Sequence, residues 1–323
     1  MTERPGSEPL SIVIMGAGAM GSALGGFMAR GGHRVALVGR PAHMKAVSRN
    51  GLRITGIWGD HVVKNLLTAT DPGELSIAEP DVVFITVKSY DTEEAVRAVL
   101  PRVGPATLVC SFQNGLGNAE TIARFVGWER TVGARVIFGV RLKKPGAVEV
   151  TVIAEPTALG VFSPKAPLER VRDLAEAMDK AGLPTVFTDN ITALLWSKVA
   201  YNAALNPLSA LLDVPYGVLL EAEESRAIME QVVRELYAVA QACGVHLDPP
   251  SAATYIEKLF TKLIPSTAAH YASMREDFAA RRRTEIDALN GAIVRLGKGH
   301  GIACPANDLL TKLVKSREKT YGR

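Results

Sequence analysis

A glycine-rich turn near the start of the chain sets the strongest constraint on its fold. Residues 10–15, LSIVIM, form a short apolar run, GAGAMG follows at residues 16–21, and a segment with helical spacing comes next. A second strand is predicted at Arg34–Val38. The pattern G-x-G-x-x-G is weak alone, but a strand, this turn, a helix and a strand within about 30 residues are typical of a dinucleotide-binding fold.

Each glycine of this motif has a predicted physical role. Gly16 permits the tight turn, Gly18 lets the backbone approach a pyrophosphate, and Gly21 lets the helix pack closely on the strand. The amide groups at the helix N-terminus are then available to the phosphates. The predicted cofactor-binding residues of the turn are Gly16, Ala17, Gly18, Ala19, Met20 and Gly21.

The end of the second predicted strand indicates which dinucleotide binds. An NAD-binding fold usually has Asp or Glu there to hold the ribose 2′-hydroxyl. This chain has Gly39 and Arg40 instead, and an arginine suits the 2′-phosphate of NADP. His43 and Lys45 follow and are expected to add positive charge. We predict NADP (NADPH) as the cofactor; the alternative is that Arg40 is only a solvated strand end.

Strands and helices continue to alternate in the first half of the chain. Lys88 follows a buried-type strand at residues 81–87, and Asn114 follows another at residues 107–112. Because ligands bind outside the carboxyl ends of strands in open α/β sheets, both side chains are candidates for contacting cofactor or substrate. Taken singly, Lys88 is better explained as a solvated strand end and Asn114 as a turn residue before glycine.

Strand signals vanish after Asn190, and helical patterns follow. We predict an NADP-binding Rossmann-type domain at residues 1–189 and a helical substrate and catalytic domain at residues 190–323. The fold class is therefore α/β, with an N-terminal Rossmann-type domain followed by an all-α C-terminal domain. Beyond the boundary helix, further helices are predicted at residues 222–243, 252–263, 284–297 and 306–315.

Composition excludes several classes of protein. The chain has 323 residues, of which 47% are apolar and 22% charged, so it can form two folded domains and is not disordered. A net charge of +4 is too small to indicate nucleic acid binding. The three cysteines form no metal-ligand spacing, and no apolar run is long enough to span a membrane. Because MTERPGSEPL also lacks the apolar region of a signal peptide, a reducing, cytoplasmic location is expected.

One predicted helix carries a lysine and two asparagines on one face. The segment WSKVAYNAALNP, residues 196–207, places Lys198, Asn202 and Asn206 at the spacing i, i+4, i+8. Each step of four residues turns only about 40° around a helix, so the three side chains project together. The flanking residues are mostly apolar, so this face is expected to be enclosed, where a lysine needs polar partners. The segment alone fits an amphipathic surface helix equally well.

Two more polar residues stand out in HYASMREDFAARRRTEIDALNG, residues 270–291. Ser273 has a structural explanation, because Ser273 and Glu276 have the spacing of a capping box. Glu285 also has one, as a first-turn acid at a helix N-terminus. The basic run Arg281, Arg282 and Arg283 is expected to be solvated.

With these motifs in hand, the chain resembles the ketopantoate reductases (2-dehydropantoate 2-reductases) from about residue 11 to about residue 313. The resemblance depends on GAGAMG, on the VK ending at Lys88, on QNGLGN at residues 113–118, on WSKVAYNAALNP and on SMREDFAARRRTEIDALNG. It implies NADPH-dependent reduction of a 2-oxo acid, namely 2-dehydropantoate to (R)-pantoate in pantothenate and coenzyme A biosynthesis.

The resemblance also implies a role for each candidate residue. Lys198 would be the general acid, with Asn114 and Glu285 completing the catalytic set. The implied substrate-binding residues are Lys198, Asn202, Asn206, Ser273 and Glu285. The implied cofactor-binding residues are those of the glycine-rich turn together with Arg40, Lys88 and Asn114.

Two departures from the family pattern are visible. Where the family often has Asn-Gly after the asparagine helix, this chain has Tyr216 and Gly217. The family asparagine contributes to substrate binding, so this departure leaves the true substrate open. The segment VEVTVIAEPTALG, residues 148–160, is also more polar and less glycine-rich than usual.

Three alternatives to this function remain open. A 3-hydroxyacid dehydrogenase of the 6-phosphogluconate dehydrogenase type shares the K-x-x-x-N motif that Lys198 and Asn202 satisfy, but TEID around Glu285 argues against it. A related reductase of another 2-oxo acid is the second alternative. A non-catalytic NADP-binding sensor is the third, although it would not need Lys198. The expected partner is a small-molecule 2-oxo acid, with no nucleic acid and no membrane; a homodimer, the oligomeric state and the physiological direction stay open.

Overall fold

The computed structural model describes residues 8–321 and divides into two units. The first unit contains residues 8–113 and Asn118–Ile191. The second contains Asn114–Gly117 and the chain from Thr192 onwards. Most of the N-terminal segment in which a signal peptide was sought lies outside the described residues.

Strands in the first unit form two sheets. Their bounds are β1 (Ser11–Met15), β2 (Arg34–Val38), β3 (Leu52–Gly56), β4 (His61–Val63), β5 (Leu66–Ala69), β6 (Val82–Ile85), β7 (Leu108–Ser111), β8 (Thr131–Arg135), β9 (Phe138–Lys144), β10 (Ala147–Ile153), β11 (Thr157–Val161) and β12 (Thr185–Phe187). The larger sheet has the order β12-β11-β8-β7-β6-β1-β2-β5, and all its neighbours are parallel except β11 with β8. The smaller sheet has the order β4-β3-β10-β9.

Helices cover both faces of the larger sheet. Those of the first unit are α1 (Ala19–Arg30), α2 (Pro41–Asn50), α3 (Thr92–Val99), α4 (Asn118–Val126) and α5 (Leu168–Lys180). In β1, Ile12 and Ile14 enter the core that α1 and α5 share, while Val13 and Met15 enter the core that α3 and α4 share. Successive side chains of a strand point to opposite faces, so β1 is apolar throughout because both of its faces are buried.

The second unit is helical. Its helices are α6 (Ile191–Leu212), α7 (Glu223–Ala242), α8 (Ala252–Lys258), α9 (Ile264–Ser266), α10 (Ser273–Ala279), α11 (Asn290–Gly299) and α12 (Pro305–Glu318), and a π-helical turn at Leu259–Leu263 joins α8 to α9. No strand occurs among residues 192–321. The predicted fold class is therefore confirmed. One predicted helix is wrong at its start, because α11 begins at Asn290 and not at residue 284.

Neither a membrane span nor a metal centre is found in the part of the chain that the structure describes. Among residues 8–321, every helix is too short or too polar to cross a bilayer. The same residues contain no group of three or more His, Cys, Asp or Glu side chains arranged to hold a metal ion.

Candidate cofactor and substrate sites

The glycine-rich turn between β1 and α1 is closely packed at two of its glycines and open at the third. Gly16 has φ +103°, and a Cβ there would lie 2.6 Å from the backbone nitrogen of Val87. A Cβ on Gly21 would lie 2.5 Å from Thr86 Oγ1. At Gly18, by contrast, a Cβ would meet no other atom closer than 3.9 Å. The backbone at Gly18 therefore has free space beside it, which a ligand can occupy.

The N-terminus of α1 follows this turn and suits an anion. Gly18 is its N-cap residue, no side chain caps it, and its first turn contains no acidic residue. The first N–H groups of a helix have no acceptor within the helix, and the helix dipole favours negative charge there. The residues present therefore fit the pyrophosphate of a dinucleotide.

Thr86 fastens the glycine-rich turn to the sheet. Its hydroxyl lies 2.9 Å from Gly16 O and 3.0 Å from Met15 O, and its backbone N–H donates to Met15 O at 2.9 Å. These bonds fix the carbonyl groups on which the shape of the turn depends. Thr86 was not among the predicted site residues; the available signal was a hydroxyl residue near the end of the predicted buried strand at residues 81–87.

Arg40 is an exposed residue at the start of α2. It is the N-cap residue of that helix, Pro41 occupies the first turn, and this turn carries no acidic side chain. A guanidinium group and a helix N-terminus both favour a phosphate. The helix itself was not predicted, and it adds a second favourable feature to the position of Arg40.

The expectation that His43 adds positive charge is wrong. His43 is only 5% exposed, and its ring lies between two partners. The backbone N–H of Gly146 donates to Nδ1 at 2.9 Å, so Nδ1 carries no hydrogen, and Nε2–H donates to Ser22 Oγ at 2.9 Å. Burial also lowers the pKa of His43 from its usual value of 6.5. The ring is therefore neutral and connects α1, α2 and the turn between β9 and β10.

This arrangement of His43 predicts acid sensitivity. Because the folded-state pKa lies below 6.5, the unfolded protein binds more protons in the interval between the two pKa values. The stabilisation is fully present above the unfolded pKa and is lost as the pH falls from 6.5 towards the folded pKa. The free energy of unfolding should fall by up to about 1.4 kcal/mol per pH unit in that interval.

Urea unfolding at about pH 7.5 and about pH 5.5 measures this loss. A His43→Gln variant keeps a polar side chain that does not titrate, so its loss between the two pH values should be smaller than that of the wild type. The lowered pKa of His33, which burial also causes, contributes equally to both proteins. An identical loss in both proteins would exclude His43 as the source.

Lys88 and Asn114 follow β6 and β7, which are parallel neighbours. A buried network holds the backbone beside them. Gln113 Nε2 donates to Val87 O at 2.9 Å and to Thr92 Oγ1 at 2.7 Å. The side chain of Gln113, the residue before Asn114, therefore holds the backbone carbonyl of Val87, the residue before Lys88. It belongs to the QNGLGN motif, but sequence analysis gave it no role.

Helix α6 carries Lys198, Asn202 and Asn206 within one continuous helical segment, as predicted. Lys198 and Asn202 are half-buried, and Asn206 is 6% exposed. Trp196 and Val199, on either side of the lysine, are buried in the core of the second unit. The apolar residues of the motif therefore anchor the helix.

Hydrogen bonds from other segments of the second unit hold α6 in place, among them the following three. They join Tyr255 Oη to Ser197 O at 3.2 Å, Asn290 Nδ2 to Ala203 O at 3.0 Å, and Ala272 N to Ser209 Oγ at 3.4 Å. The first acceptor is the neighbour of Lys198, and the second is the neighbour of Asn202. The backbone that bears both side chains is thus held from α8 and from α11.

The loop Asn114–Gly117 packs with the second unit. Leu116 N–H donates to Ala288 O at 2.8 Å. Gly115 has φ +91°, and a Cβ there would lie 2.5 Å from the same carbonyl oxygen, so a side chain does not fit. Ala288 N–H in turn donates to Glu285 O at 2.9 Å. The loop that carries Asn114 is therefore in contact with the turn that carries Glu285.

The purely structural explanations for Ser273 and Glu285 are both wrong. No capping box forms, because the N-cap residue of α10 is Ala272 and Ser273 is the first helical residue, with its side chain exposed. Glu285 is not a first-turn acid, because α11 begins five residues later at Asn290. Glu285 is instead 9% exposed in an irregular turn, where a carboxylate needs compensating partners.

The arginine run is exposed, as expected, and two of its members also pair with carboxylates. Arg282 lies 3.0 Å from the carboxylate of Asp277, which is buried. Arg283 lies 3.3 Å from the carboxylate of Asp287, which is partly exposed. Arg282 therefore compensates a buried charge in addition to being solvated.

Comparison with known proteins assigns the chain to a family. The model of the N-terminal part of the family, "Ketopantoate reductase PanE/ApbA", matches residues 12–164, and the model of its C-terminal part matches residues 190–318. The 2-dehydropantoate 2-reductase of Aquifex aeolicus is 40% identical over 309 residues, covering 96% of this chain and 97% of that protein. The chain belongs to the ketopantoate reductase family. It is therefore an oxidoreductase.

Other members and neighbours of the ketopantoate reductase family match over nearly the whole chain. The 2-dehydropantoate 2-reductase of Pyrococcus horikoshii is 36% identical, covering 97% of this chain and 99% of that protein. The structure of a ketopantoate reductase from Ralstonia eutropha has a TM-score of 0.86 at 35% identity, covering 97% and 99% of the two chains. A D-mandelate dehydrogenase solved with NADH and anilino(oxo)acetate has a TM-score of 0.84 at 27% identity, with the same coverage.

Proposed function

We propose that the protein uses NADPH to reduce 2-dehydropantoate, a 2-oxo acid, to (R)-pantoate for pantothenate and coenzyme A biosynthesis. The observation that carries this proposal is the face of α6 with Lys198, Asn202 and Asn206, together with the buried Glu285 in the same unit. The names of relatives that match over nearly the whole chain support the substrate. NADPH binding is assigned to residues 1–189, and substrate binding with catalysis to residues 190–323.

The reaction requires a hydride at the ketone carbon and a proton at the ketone oxygen. A reduced nicotinamide supplies the hydride when it is bound. Lys198 Nζ donates the proton to the developing alkoxide and, as a cation, stabilises its negative charge. The 2-oxo acid thereby becomes a 2-hydroxy acid, and Lys198 recovers its proton from water.

The remaining polar residues have roles in binding. Asn114 orients the reacting groups, and Glu285 accepts a hydrogen bond from the hydroxyl that 2-dehydropantoate carries beyond its ketone. Asn202, Asn206 and Ser273 bind other polar atoms of the substrate. The contact between the loop of Asn114 and the turn of Glu285 supports their assignment to one site.

The cofactor is assigned to the glycine-rich turn, residues 16–21, with Arg40, Lys88 and Asn114. The open space at Gly18 and the acid-free first turn of α1 support a pyrophosphate. Relatives with NADH in their structures support a nicotinamide dinucleotide. Arg40 in place of a carboxylate supports the 2′-phosphate of NADPH. The three free cysteines support a cytoplasmic location.

Arg40→Ala is expected to weaken NADPH selectively. Loss of a charged pair to the 2′-phosphate should raise KM for NADPH by roughly 10- to 100-fold, while KM for NADH should change little. Steady-state kinetics with both cofactors measures this, and Arg49→Ala, at the other end of α2, is the matched control. Equal wild-type efficiency with NADPH and NADH would contradict the assignment.

A reductase of another 2-oxo acid is the second candidate. Two observations favour it: Tyr216 stands where the family often has asparagine, and a D-mandelate dehydrogenase shares the fold over nearly the whole chain. NADPH oxidation should therefore be followed with a panel of 2-oxo acids that includes 2-dehydropantoate. Oxidation of 3-hydroxy acids, tested in parallel, would instead support the 6-phosphogluconate dehydrogenase type.

A further inference from the structure

Tyr216 lies in the second unit and is hydrogen-bonded to Asn206, the last of the three polar residues on the face of α6. Its hydroxyl donates to Asn206 Oδ1 at 2.7 Å, and the two residues are 3% and 6% exposed. Burial raises the pKa of Tyr216 above its usual value, so the phenol keeps its hydrogen and acts as the donor. The carbonyl oxygen of Asn206 is therefore directed towards Tyr216.

The Tyr216 ring is held firmly in this place. It packs edge to face on Tyr201, with ring centroids 5.9 Å apart, and against His270 at 5.3 Å. Its backbone N–H donates to His270 O at 2.9 Å. The Tyr201 hydroxyl lies 2.7 Å from Thr267 Oγ1, so it does not compete for Asn206. The orientation of the Asn206 amide is thus imposed by a fixed neighbour.

The amide nitrogen of Asn206 can still donate a hydrogen bond. Within residues 8–321, Asn206 Nδ2 donates no hydrogen bond, and it is not among the polar atoms sealed from solvent without a partner. A carboxamide carries its oxygen and its nitrogen on opposite branches, so fixing the oxygen towards Tyr216 turns the nitrogen away from it. Asn206 shares its helix face with Asn202, four residues earlier, and with Lys198, eight residues earlier.

We propose that Tyr216 is a specificity-determining positioning residue that makes Asn206 a hydrogen-bond donor to the substrate. The substrate must then present an acceptor atom to Asn206, such as a carboxylate or keto oxygen, and needs no donor there. This inference rests on the proposed function and specifies the kind of substrate atom that its Asn206 recognises. It predicts that 2-oxo acids with and without an additional hydroxyl depend on Asn206 in the same way.

Asn206→Asp tests the donor role directly. Aspartate is nearly isosteric and keeps an oxygen for the Tyr216 hydroxyl, but it replaces the donating NH₂ group with an anionic acceptor. We expect kcat/KM to fall by at least about 100-fold for both 2-dehydropantoate and 2-oxoisovalerate, because a buried donor is exchanged for a repelling charge. Activity within about threefold of the wild type, for either substrate, would overturn the proposal.

Tyr216→Phe tests the positioning role. It keeps the ring and its packing but frees the amide to rotate, so KM for both substrates should rise roughly 5- to 20-fold while kcat changes less than about threefold. Tyr201→Phe is the matched control, since it removes a hydroxyl from the same aromatic cluster without touching Asn206. Equal kinetics for the two phenylalanine variants would overturn the role of Tyr216.

The outcomes separate this inference from the proposed function. If none of the 2-oxo acids causes the wild-type protein to oxidise NADPH, the proposed function fails. If the wild type is active and Asn206→Asp retains that activity, only the inference fails. Thermal melting and NADPH binding of each variant show whether the fold is intact.

Discussion

Lys198→Met is expected to lower kcat by roughly 10²- to 10⁴-fold, the usual range for loss of a general acid. Methionine keeps the unbranched apolar stem, and the buried neighbours Trp196 and Val199 continue to anchor α6. The ammonium group is lost, so the developing alkoxide has neither a proton donor nor a stabilising charge. Single-turnover reduction with saturating NADPH and 2-oxo acid measures the chemical step.

Two controls define what the lysine contributes. Lys312→Met changes an exposed lysine on α12 of the same unit and should leave kcat unchanged. Lys198→Arg keeps the charge on a group that does not release its proton, so its kcat should remain well below that of the wild type if proton transfer matters. The dissociation constant for NADPH should be similar in all variants. A near-normal kcat in Lys198→Met would remove this residue from the chemistry.

Glu285→Ala is expected to lower kcat/KM for 2-dehydropantoate by roughly 2–4 kcal/mol, which is about 30- to 1,000-fold. A buried carboxylate is a strong acceptor for a substrate hydroxyl, and a site built around that bond rejects analogues that lack the hydroxyl. The loss should therefore be much smaller for 2-oxoisovalerate. The ratio of kcat/KM for the two substrates is the quantity to measure.

The matched control for Glu285 is Glu276→Ala, which removes an exposed carboxylate from α10 in the same region of the chain. It should leave the substrate ratio unchanged. If Glu285→Ala lowers the activity on both substrates equally, the carboxylate does not recognise the hydroxyl. A lower melting temperature with an unchanged ratio would assign Glu285 to stability alone.

Short-range patterns predicted the central part of the first unit well. The limits of β2 and the presence of helix α1, which begins within GAGAMG, follow from apolar runs and glycine positions that lie next to each other in the sequence. Helix α6 was equally clear, because its apolar residues repeat at helical spacing around Lys198. These elements carry their own information, so no distant partner is needed to recognise them.

Features that depend on distant partners were missed or wrong. Strand β3 alternates between buried and exposed residues and pairs in parallel with β10, whose residues lie more than ninety positions away. His43 appeared to be a surface cation, but its partner Gly146 is 103 residues away. The capping pattern at Ser273 did not form because α10 begins one residue earlier than a serine cap requires. For His43, a tertiary contact overrode the local signal.

The candidate site also combines features that local sequence predicts with features that depend on contacts between different segments. The spacing of Lys198, Asn202 and Asn206 could be recognised from helical periodicity alone. The bond between Tyr216 and Asn206 could not, because the two residues are ten positions apart, with Asn206 in α6 and Tyr216 at the start of the short 3-10 helix Tyr216–Leu220. The sequence indicated only that a tyrosine stands where asparagine is frequent, whereas the structure shows which atom it holds.

The reaction of the wild-type protein with 2-dehydropantoate and NADPH tests the proposed function itself. NADPH oxidation is followed by absorbance, and the product is identified by chiral chromatography. We expect one (R)-pantoate for each NADPH consumed, with kcat/KM at least about 10-fold higher for NADPH than for NADH. Binding of NADPH without oxidation by 2-dehydropantoate or any other 2-oxo acid would contradict it.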